Sequence, residues 1–182
     1  MLAVKIFLAA GWAAFWLYWF AAAFRMKRGH VPWARELRVR AVLVLVVIVL
    51  VRTRVFRARA ANTDPLRAAI GLAVFAAGLL FAVWARVHIG GNWGRPMTQK
   101  ENPELVTSGP YRLVRHPIYS GILVGGIGTA VALSWVWLIA VAVAGTYLGY
   151  SATVEERFLT AQFPDAYRAY KRSTKMLVPF VV

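Results

Sequence analysis

The sequence predicts an all-α integral membrane protein with about five transmembrane helices. Two observations predict this fold class. Of the 182 residues, 60% are hydrophobic, and they form long runs separated by short basic clusters. The length is that of a single domain. We expect residues 1–89 to contribute three N-terminal helices and residues 90–182 to form a second, more polar half.

The first two apolar runs differ in length. Residues 6–24 are close to the ~20 residues that a spanning helix needs, and their tryptophans suit a retained helix better than a cleaved signal peptide. Residues 41–51 are short for a span. The second helix is therefore expected to continue to about residue 56, with Arg52 and Arg54 reaching toward the membrane surface.

The third predicted helix covers residues 66–89. It follows the sequence Asn62-Thr63-Asp64-Pro65, in which capping residues precede a proline in the first turn. Residues 90–115 form the longest polar stretch of the chain.

The fourth and fifth predicted helices cover residues 117–133 and 137–154, with a tight turn at Ser134-Trp135 between them. Residues 155–175 are polar and periodic, which predicts one or two amphipathic helices. A break is expected at Phe163-Pro164-Asp165 because proline starts helices and does not continue them.

The net charge of +15 is confined to the segments between apolar runs. This placement is typical of membrane loops near anionic headgroups, and it argues against nucleic-acid binding. Residues 25–40, 86–116 and 155–182 share one face if the helices alternate, and they carry 16 of the 22 lysines and arginines. The positive-inside rule places this face in the cytoplasm, although the opposite connection, residues 52–67, is also basic.

Two kinds of chemistry are excluded or disfavoured by composition. The chain has no cysteine, which excludes disulfides, thiolate metal sites and cysteine nucleophiles. Its three histidines (His30, His88 and His116) are far apart in sequence, so no protein metal site is expected.

The segment SGPYRLVRHPIYSG (108–121) is unusually polar for the start of an apolar helix. Pro117 fits the first helical position and His116 the N-cap, so the N–H groups of the first turn form the positive end of a helix dipole. With Arg112 and Arg115 upstream, this end would attract an anion. Equally, the arginines and tyrosines are typical of interfacial anchors.

Glu155 and Glu156 lie where the fifth apolar run ends. Adjacent carboxylates near a membrane boundary need solvent or a cationic partner. They either end the span, with Arg157 as a partner, or face the cationic group of a ligand. A ligand with both a carboxylate and an ammonium would satisfy the fourth helix's amino end and a glutamate together.

Small residues occur four apart at Gly121 and Gly125, and again at Gly145 and Gly149. This spacing predicts a close approach of the fourth and fifth helices, which would bring Tyr119 near Glu155.

Two blocks together, LVTSGPYRLVRHPIYSG (105–121) and EERFLTAQFPDAYRAYKR (155–172), with Leu177-Val178-Pro179 after them, resemble the isoprenylcysteine carboxyl methyltransferase family of integral membrane enzymes. The related phospholipid methyltransferases share the R-H-P and E-E elements. The resemblance covers about the C-terminal half of the chain.

The resemblance implies S-adenosylmethionine as cofactor, in a cytosolic pocket formed by the 90–116 loop and the C-terminal helical tail. It implies direct methyl transfer to a lipidic or small hydrophobic acceptor, without a covalent protein nucleophile. Arg115 and Glu156 are candidates for positioning the reactants. The implied cofactor contacts are Pro103, Glu104, Leu105, Val106, Tyr111, His116, Pro117, Ile118, Tyr119 and Glu155.

One position departs from the family pattern. Eukaryotic members carry an arginine one turn before the glutamate pair, where this chain has Ser151. Arg86, Arg95 or Arg115 is expected to replace it in orienting an acceptor. The composition suits a bacterial inner-membrane protein. The alternatives are a nicotinamide-dependent membrane reductase of the sterol-reductase type and a non-catalytic membrane scaffold.

Overall fold

The computed structural model describes residues 1–23, 29–30, 62–92, 99–100 and 104–178. The predicted second helix lies outside these residues, as do Pro103 and Arg95. The described helices are α1 (Leu2–Ala23), α2 (Pro65–Ile89), α3 (Pro117–Leu133), α4 (Trp137–Gln162) and α5 (Pro164–Ser173). Two short strands, β1 (Gly29–His30) after α1 and β2 (Gln99–Lys100) after α2, pair with each other in antiparallel orientation.

Helix α2 begins as the sequence predicts. The Asp64 carboxylate accepts the N–H of Leu66 at 2.9 Å, and Pro65 occupies the first helical position. The Asn62 N–H and side-chain amide donate to the carbonyls of Leu133 (2.7 Å) and Ala132 (3.1 Å). The start of α2 is therefore fixed to the end of α3, which makes the two helices antiparallel neighbours.

Glycines set the close packing of α2 against α3. A Cβ on Gly78 would lie 2.4 Å from the backbone nitrogen of Gly125, and one on Gly128 would lie 2.2 Å from that of Phe75. Small residues thus let the two backbones touch. The prediction that Gly121 and Gly125 pack against the fifth predicted helix is wrong: a Cβ on either would first meet α2, because the spacing of small residues does not specify which neighbour they face. Gly145 of α4 does face α3, since a Cβ there would lie 3.6 Å from the Leu123 side chain. Gly149 of α4 has no atom within 4 Å of such a Cβ.

Helix α1 packs on the α2–α3 pair through a hydrophobic cluster. Leu8 and Phe15 of α1 are buried in this cluster with Phe75 of α2. The Trp12 indole N–H donates to the Thr129 hydroxyl of α3 at 3.1 Å, which satisfies a polar group inside the apolar layer.

Three of the described helices, α1, α2 and α4, are long and apolar enough to cross a membrane, and α3 is a shorter apolar helix. Large apolar side chains cover their outer faces: Leu17, Phe20 and Leu80 are each more than two-thirds exposed. Such surfaces require hydrocarbon around them. The protein is therefore an integral membrane protein, mainly helical, as the sequence predicts.

Helix α4 is longer than predicted. The sequence places its end at residue 154, but it continues for two further turns to Gln162, so Glu155 and Glu156 lie inside it. The loss of apolar residues marks the end of the membrane layer, whereas the backbone stays helical until Phe163, whose φ is −128° and ψ 66°. Pro164 then starts α5, which confirms the predicted break.

Candidate functional site

The site is built around the first turn of α3. His116 is the N-cap residue, Pro117 takes the first helical position, and the Ser120 N–H donates to the His116 carbonyl at 3.0 Å. Both His116 and Pro117 are buried. This local structure agrees with the sequence prediction for the R-H-P element.

The C-terminal segment lies beside this turn. The N–H groups of Arg115 and His116 donate to the carbonyls of Lys175 (2.8 Å) and Met176 (3.0 Å). The Ser120 hydroxyl donates to the Leu177 carbonyl at 2.6 Å. The segment after α5 is therefore bonded to the backbone that positions His116.

Glu156 is the centre of a buried ion-pair cluster. Its carboxylate lies 2.6 Å from Arg115 Nε and 2.8 Å from Lys171 Nζ, and His116 Nε2 is 3.4 Å away. The Arg115 guanidinium also donates to the Thr174 carbonyl. Because the side chains of Arg115 and Glu156 are 9% and 5% exposed, their ion pair is shielded from solvent. Through Glu156 and Lys171, the cluster joins α4 and α5 to the R-H-P segment.

Glu155 faces a different set of groups. The Tyr119 hydroxyl donates to Glu155 Oε1 at 2.5 Å, and His116 Nδ1 lies 3.7 Å from Oε2. The rings of His116 and Tyr119 are stacked, with centroids 5.4 Å apart. The amino end of α3 and the acidic turn of α4 thus converge, which is the arrangement on which the sequence interpretation depends.

An aromatic and apolar layer continues from this point. Tyr111 and Ile118 are buried with Ala85 of α2, and Val106 and Tyr119 pack against them. The Tyr170 hydroxyl of α5 donates to the Tyr111 carbonyl at 2.5 Å. Burial raises the pKa of Tyr111 well above its ordinary value, so its hydroxyl stays protonated.

Nine of the ten predicted cofactor contacts lie within the described residues, and one of them, Pro117, is the first residue of α3. Val106, Tyr111, Ile118 and Tyr119 share one cluster, and His116 and Glu155 adjoin Tyr119 through the contacts above. Glu104 is exposed and Leu105 is half-buried. The predicted contact Pro103 lies outside the described residues.

The arginine predicted to replace Ser151 is not evident among the candidates. Arg86 is buried and donates to the carbonyls of Gly90 (2.9 Å) and Ala22 (3.3 Å), at the ends of α2 and α1. Arg115 is held by Glu156. Both described candidates are therefore engaged in structural contacts, and Arg95 lies outside the described residues.

Tyr167 is a residue of the site region that the sequence did not single out as a contact. It is 1% exposed, and its hydroxyl has no hydrogen-bond partner among the described residues. Burial is the main reason that the pKa of Tyr167 is raised well above its ordinary value, and the charge of Glu156 raises it further. The sequence does contain a signal for it, because Phe163, Tyr167 and Tyr170 recur at a spacing that places them on one face of a helix.

A cavity of about 620 Å³ lies between α4 and α5. Of the predicted site residues it includes Glu156 alone, so it differs from the pocket that the sequence places between the 90–116 loop and the tail. No group of three or more metal-ligating side chains occurs within the described ranges. The cavity is lined by Thr153, Glu156, Arg157, Thr160, Ala161, Pro164, Arg168, Lys171 and Met176.

The fold and the site define a helical membrane protein whose polar cluster forms where two apolar helices meet the aqueous phase. A profile of the phospholipid methyltransferase family matches residues 66–166, more than half of the chain, and the chain belongs to this family. The match includes both the R-H-P segment and the glutamate pair.

Curated relatives carry several names. The chain is 31% identical to the cobalt-zinc-cadmium resistance protein CzcN of Cupriavidus metallidurans, over 64% of this chain and 50% of that protein. It is 40% identical to protein-S-isoprenylcysteine O-methyltransferase A of Arabidopsis thaliana, over 45% of this chain and 43% of that protein. It is 37% identical to methanethiol S-methyltransferase 1 of Bradyrhizobium diazoefficiens, over 43% of this chain and 27% of that protein. The chain thus spans about half the length of these relatives or less.

The solved structure of a eukaryotic intramembrane Ras methyltransferase, isoprenylcysteine carboxyl methyltransferase, shares the fold. The TM-score is 0.58 and the identity 24%, over 64% of this chain and 43% of that one.

Proposed function

We propose that the protein is an integral membrane methyltransferase that uses S-adenosylmethionine and methylates a lipidic or small hydrophobic acceptor. Its family membership supports the reaction class, and two of the relatives named above are O- and S-methyltransferases. The observation that carries the proposal is the hydrogen bond between Tyr119 of α3 and Glu155 of α4, which joins the two sequence elements at one point.

The residues at this point suit the chemistry of the proposed cofactor. Its methionine part has an ammonium, a carboxylate and a sulfonium cation. Glu155 is a carboxylate with a side chain 25% exposed, and it can accept a hydrogen bond from an ammonium. The rings of Tyr111 and Tyr119 offer faces to a cation and to a planar base. We assign the cofactor's carboxylate to the free N–H groups in the first turn of α3.

The cofactor supplies an electrophilic methyl group when it is bound. The residues of this chain bind and orient it: Glu155 holds the ammonium, and the Tyr119 hydroxyl fixes the Glu155 carboxylate. Ile118 and Val106 exclude water around the reacting atoms. Arg115 and Glu156 act as positioning residues, because their ion pair holds α4 and the C-terminal segment against His116.

The acceptor class follows from the membrane setting. A nucleophile on a hydrophobic molecule can reach the site sideways from the bilayer. The serine at position 151 gives no cation on the turn that precedes the glutamates, and its hydroxyl donates to the Tyr147 carbonyl at 2.9 Å. An isoprenylcysteine-type carboxylate is therefore one acceptor to test among thiols, amines and lipids.

The site faces the cytoplasm of a bacterial inner membrane in this proposal. The cofactor is a cytosolic metabolite, and the segments on this side of the membrane carry most of the basic residues.

Cofactor binding tests the proposal directly. Calorimetric titration of the purified protein in detergent with S-adenosylhomocysteine is expected to show binding. Glu155→Gln should weaken it by on the order of 10- to 100-fold, because a charge-assisted hydrogen bond is lost. The control is Asp165→Asn, an exposed carboxylate in the first turn of α5, which should leave the affinity unchanged. Wild-type affinity in the Glu155→Gln protein would overturn the assignment of the site.

The acceptor is identified by a second experiment. Transfer of radiolabelled methyl from S-adenosylmethionine is measured into membrane lipids, prenylcysteine analogues, small thiols and amines. His116→Ala should abolish most of this transfer while circular dichroism shows the helices intact. Unchanged transfer in that variant would contradict the placement of the pocket.

A further inference from the structure

The cavity between α4 and α5 has a positive lining that the proposed cofactor site does not use. Three of its residues, Arg157, Arg168 and Lys171, are cations, and Glu156 is its single acid. Glu156 is already neutralised by Arg115 at 2.6 Å and by Lys171 at 2.8 Å. Within the part of the chain that the structure describes, neither Arg157 nor Arg168 makes an ion pair, so the cavity carries an excess of positive charge.

From its position along α4, we expect the cavity to lie at the level of lipid headgroups. The apolar part of α4 ends near Val154, and the lining residues of α4 begin at Thr153 and continue for about two turns beyond it. A cationic cavity at this depth attracts the phosphate of an anionic lipid, and the planar guanidinium of arginine matches phosphate geometry.

An exposed stripe on α4 leads from the membrane to this cavity. Its residues recur at helical spacing, and all of them are exposed. The residues within the apolar span are apolar, small or aromatic, and the last residue of the stripe is an arginine. An acyl chain can lie along such a stripe while its headgroup enters the cavity. This continuity favours a lipid over free phosphate. The stripe consists of Ile139, Ala142, Thr146, Tyr150, Thr153 and Arg157.

We infer that the α4–α5 cavity binds the phosphate of an anionic membrane phospholipid through Arg157 and Arg168. The site is separate from the Tyr119–Glu155 pair, and the bound lipid need not be methylated. Its test reads lipid binding and not methyl transfer, so it succeeds or fails independently of the proposed function.

Native mass spectrometry of the detergent-purified protein tests the inference by measuring lipid binding. Dioleoylphosphatidylglycerol is titrated against zwitterionic dioleoylphosphatidylcholine. The wild type should prefer the anionic lipid, and the double variant Arg157→Gln/Arg168→Gln should lose at least about tenfold in its affinity for it. The matched control Arg172→Gln/Lys175→Gln removes two exposed cations outside the cavity and should change the affinity less than about twofold.

A second variant keeps the charge constant. Ala161 is an exposed residue of the cavity wall, and Ala161→Trp should fill the cavity and also lower binding of the anionic lipid. Retained binding in this variant, or an equal loss in the control pair, would overturn the inference. Displacement of the lipid by millimolar inorganic phosphate would show a free-phosphate site, which also contradicts it.

Discussion

At the scale of single residues, two adjacent glutamates perform different tasks because successive helical residues point about 100° apart. Glu155 meets Tyr119 and His116, whereas Glu156 meets Arg115 and Lys171. The sequence predicts that a glutamate pair and the R-H-P segment come together. It also predicts that Tyr119 lies near Glu155, but it does not predict that Glu156 pairs with Arg115 and Lys171, because that depends on the rotation of α4 about its axis.

The Glu156 pair supports a prediction about stability. In Glu156→Gln, the buried Arg115 guanidinium loses its counter-charge, and breaking such a pair costs about 3–5 kcal/mol. At about 2–4 °C per kcal/mol for a chain of this size, the melting temperature in detergent should fall by at least about 6 °C.

Lys171→Met provides the comparison for this experiment, because the Lys171 side chain is 42% exposed. It should cost less than about 1 kcal/mol, as exposed ion pairs do. Equal losses in the two variants would show that burial of the Arg115–Glu156 pair does not determine its contribution.

At the scale of elements, helix starts were more predictable than helix neighbours. The capping residues before α2 and the proline at the start of α3 are local signals, and both helices begin within one residue of the prediction. The end of α4 was missed because two carboxylates were interpreted as a helix end. The predicted partner of the α3 glycines Gly121 and Gly125 was wrong, because the helix that packs against them is determined by the tertiary structure.

The α2–α3 contact yields a prediction for the glycines. Gly78→Ala and Gly128→Ala place a methyl group against backbone atoms that cannot move without separating the helices. Such overpacking typically costs about 1–3 kcal/mol. Gly149→Ala meets open space and should be neutral or stabilise α4, by up to about 1 kcal/mol from helix propensity. Thermal unfolding in detergent compares the stability of the three variants. An equal loss of stability in Gly149→Ala and Gly78→Ala would contradict the importance of the α2–α3 contact.

At the scale of the whole molecule, the helices separate two ends. The start of α2 and the end of α3 are joined through Asn62 and Leu133. The proposed site lies at the other end, where the start of α3 meets the C-terminal segment. Charge asymmetry in the sequence predicts which end faces the cytoplasm. The hydrogen bonds that join residues 111–120 to α5 and the C-terminal segment were not predictable, since their partners are 56 to 60 positions apart.

The orientation can be tested with single cysteines, because the chain has none of its own. Thr63→Cys and Ser173→Cys replace exposed residues separated by α2, α3 and α4, so three crossings should place them on opposite sides of the membrane. A membrane-impermeant maleimide is expected to label Thr63→Cys in intact cells and Ser173→Cys only after lysis, because the more basic side remains in the cytoplasm. The parent chain should take no label in either case. The reverse pattern would place the proposed site outside the cytosolic pool of the proposed cofactor, and labelling of both positions in intact cells would contradict the three crossings.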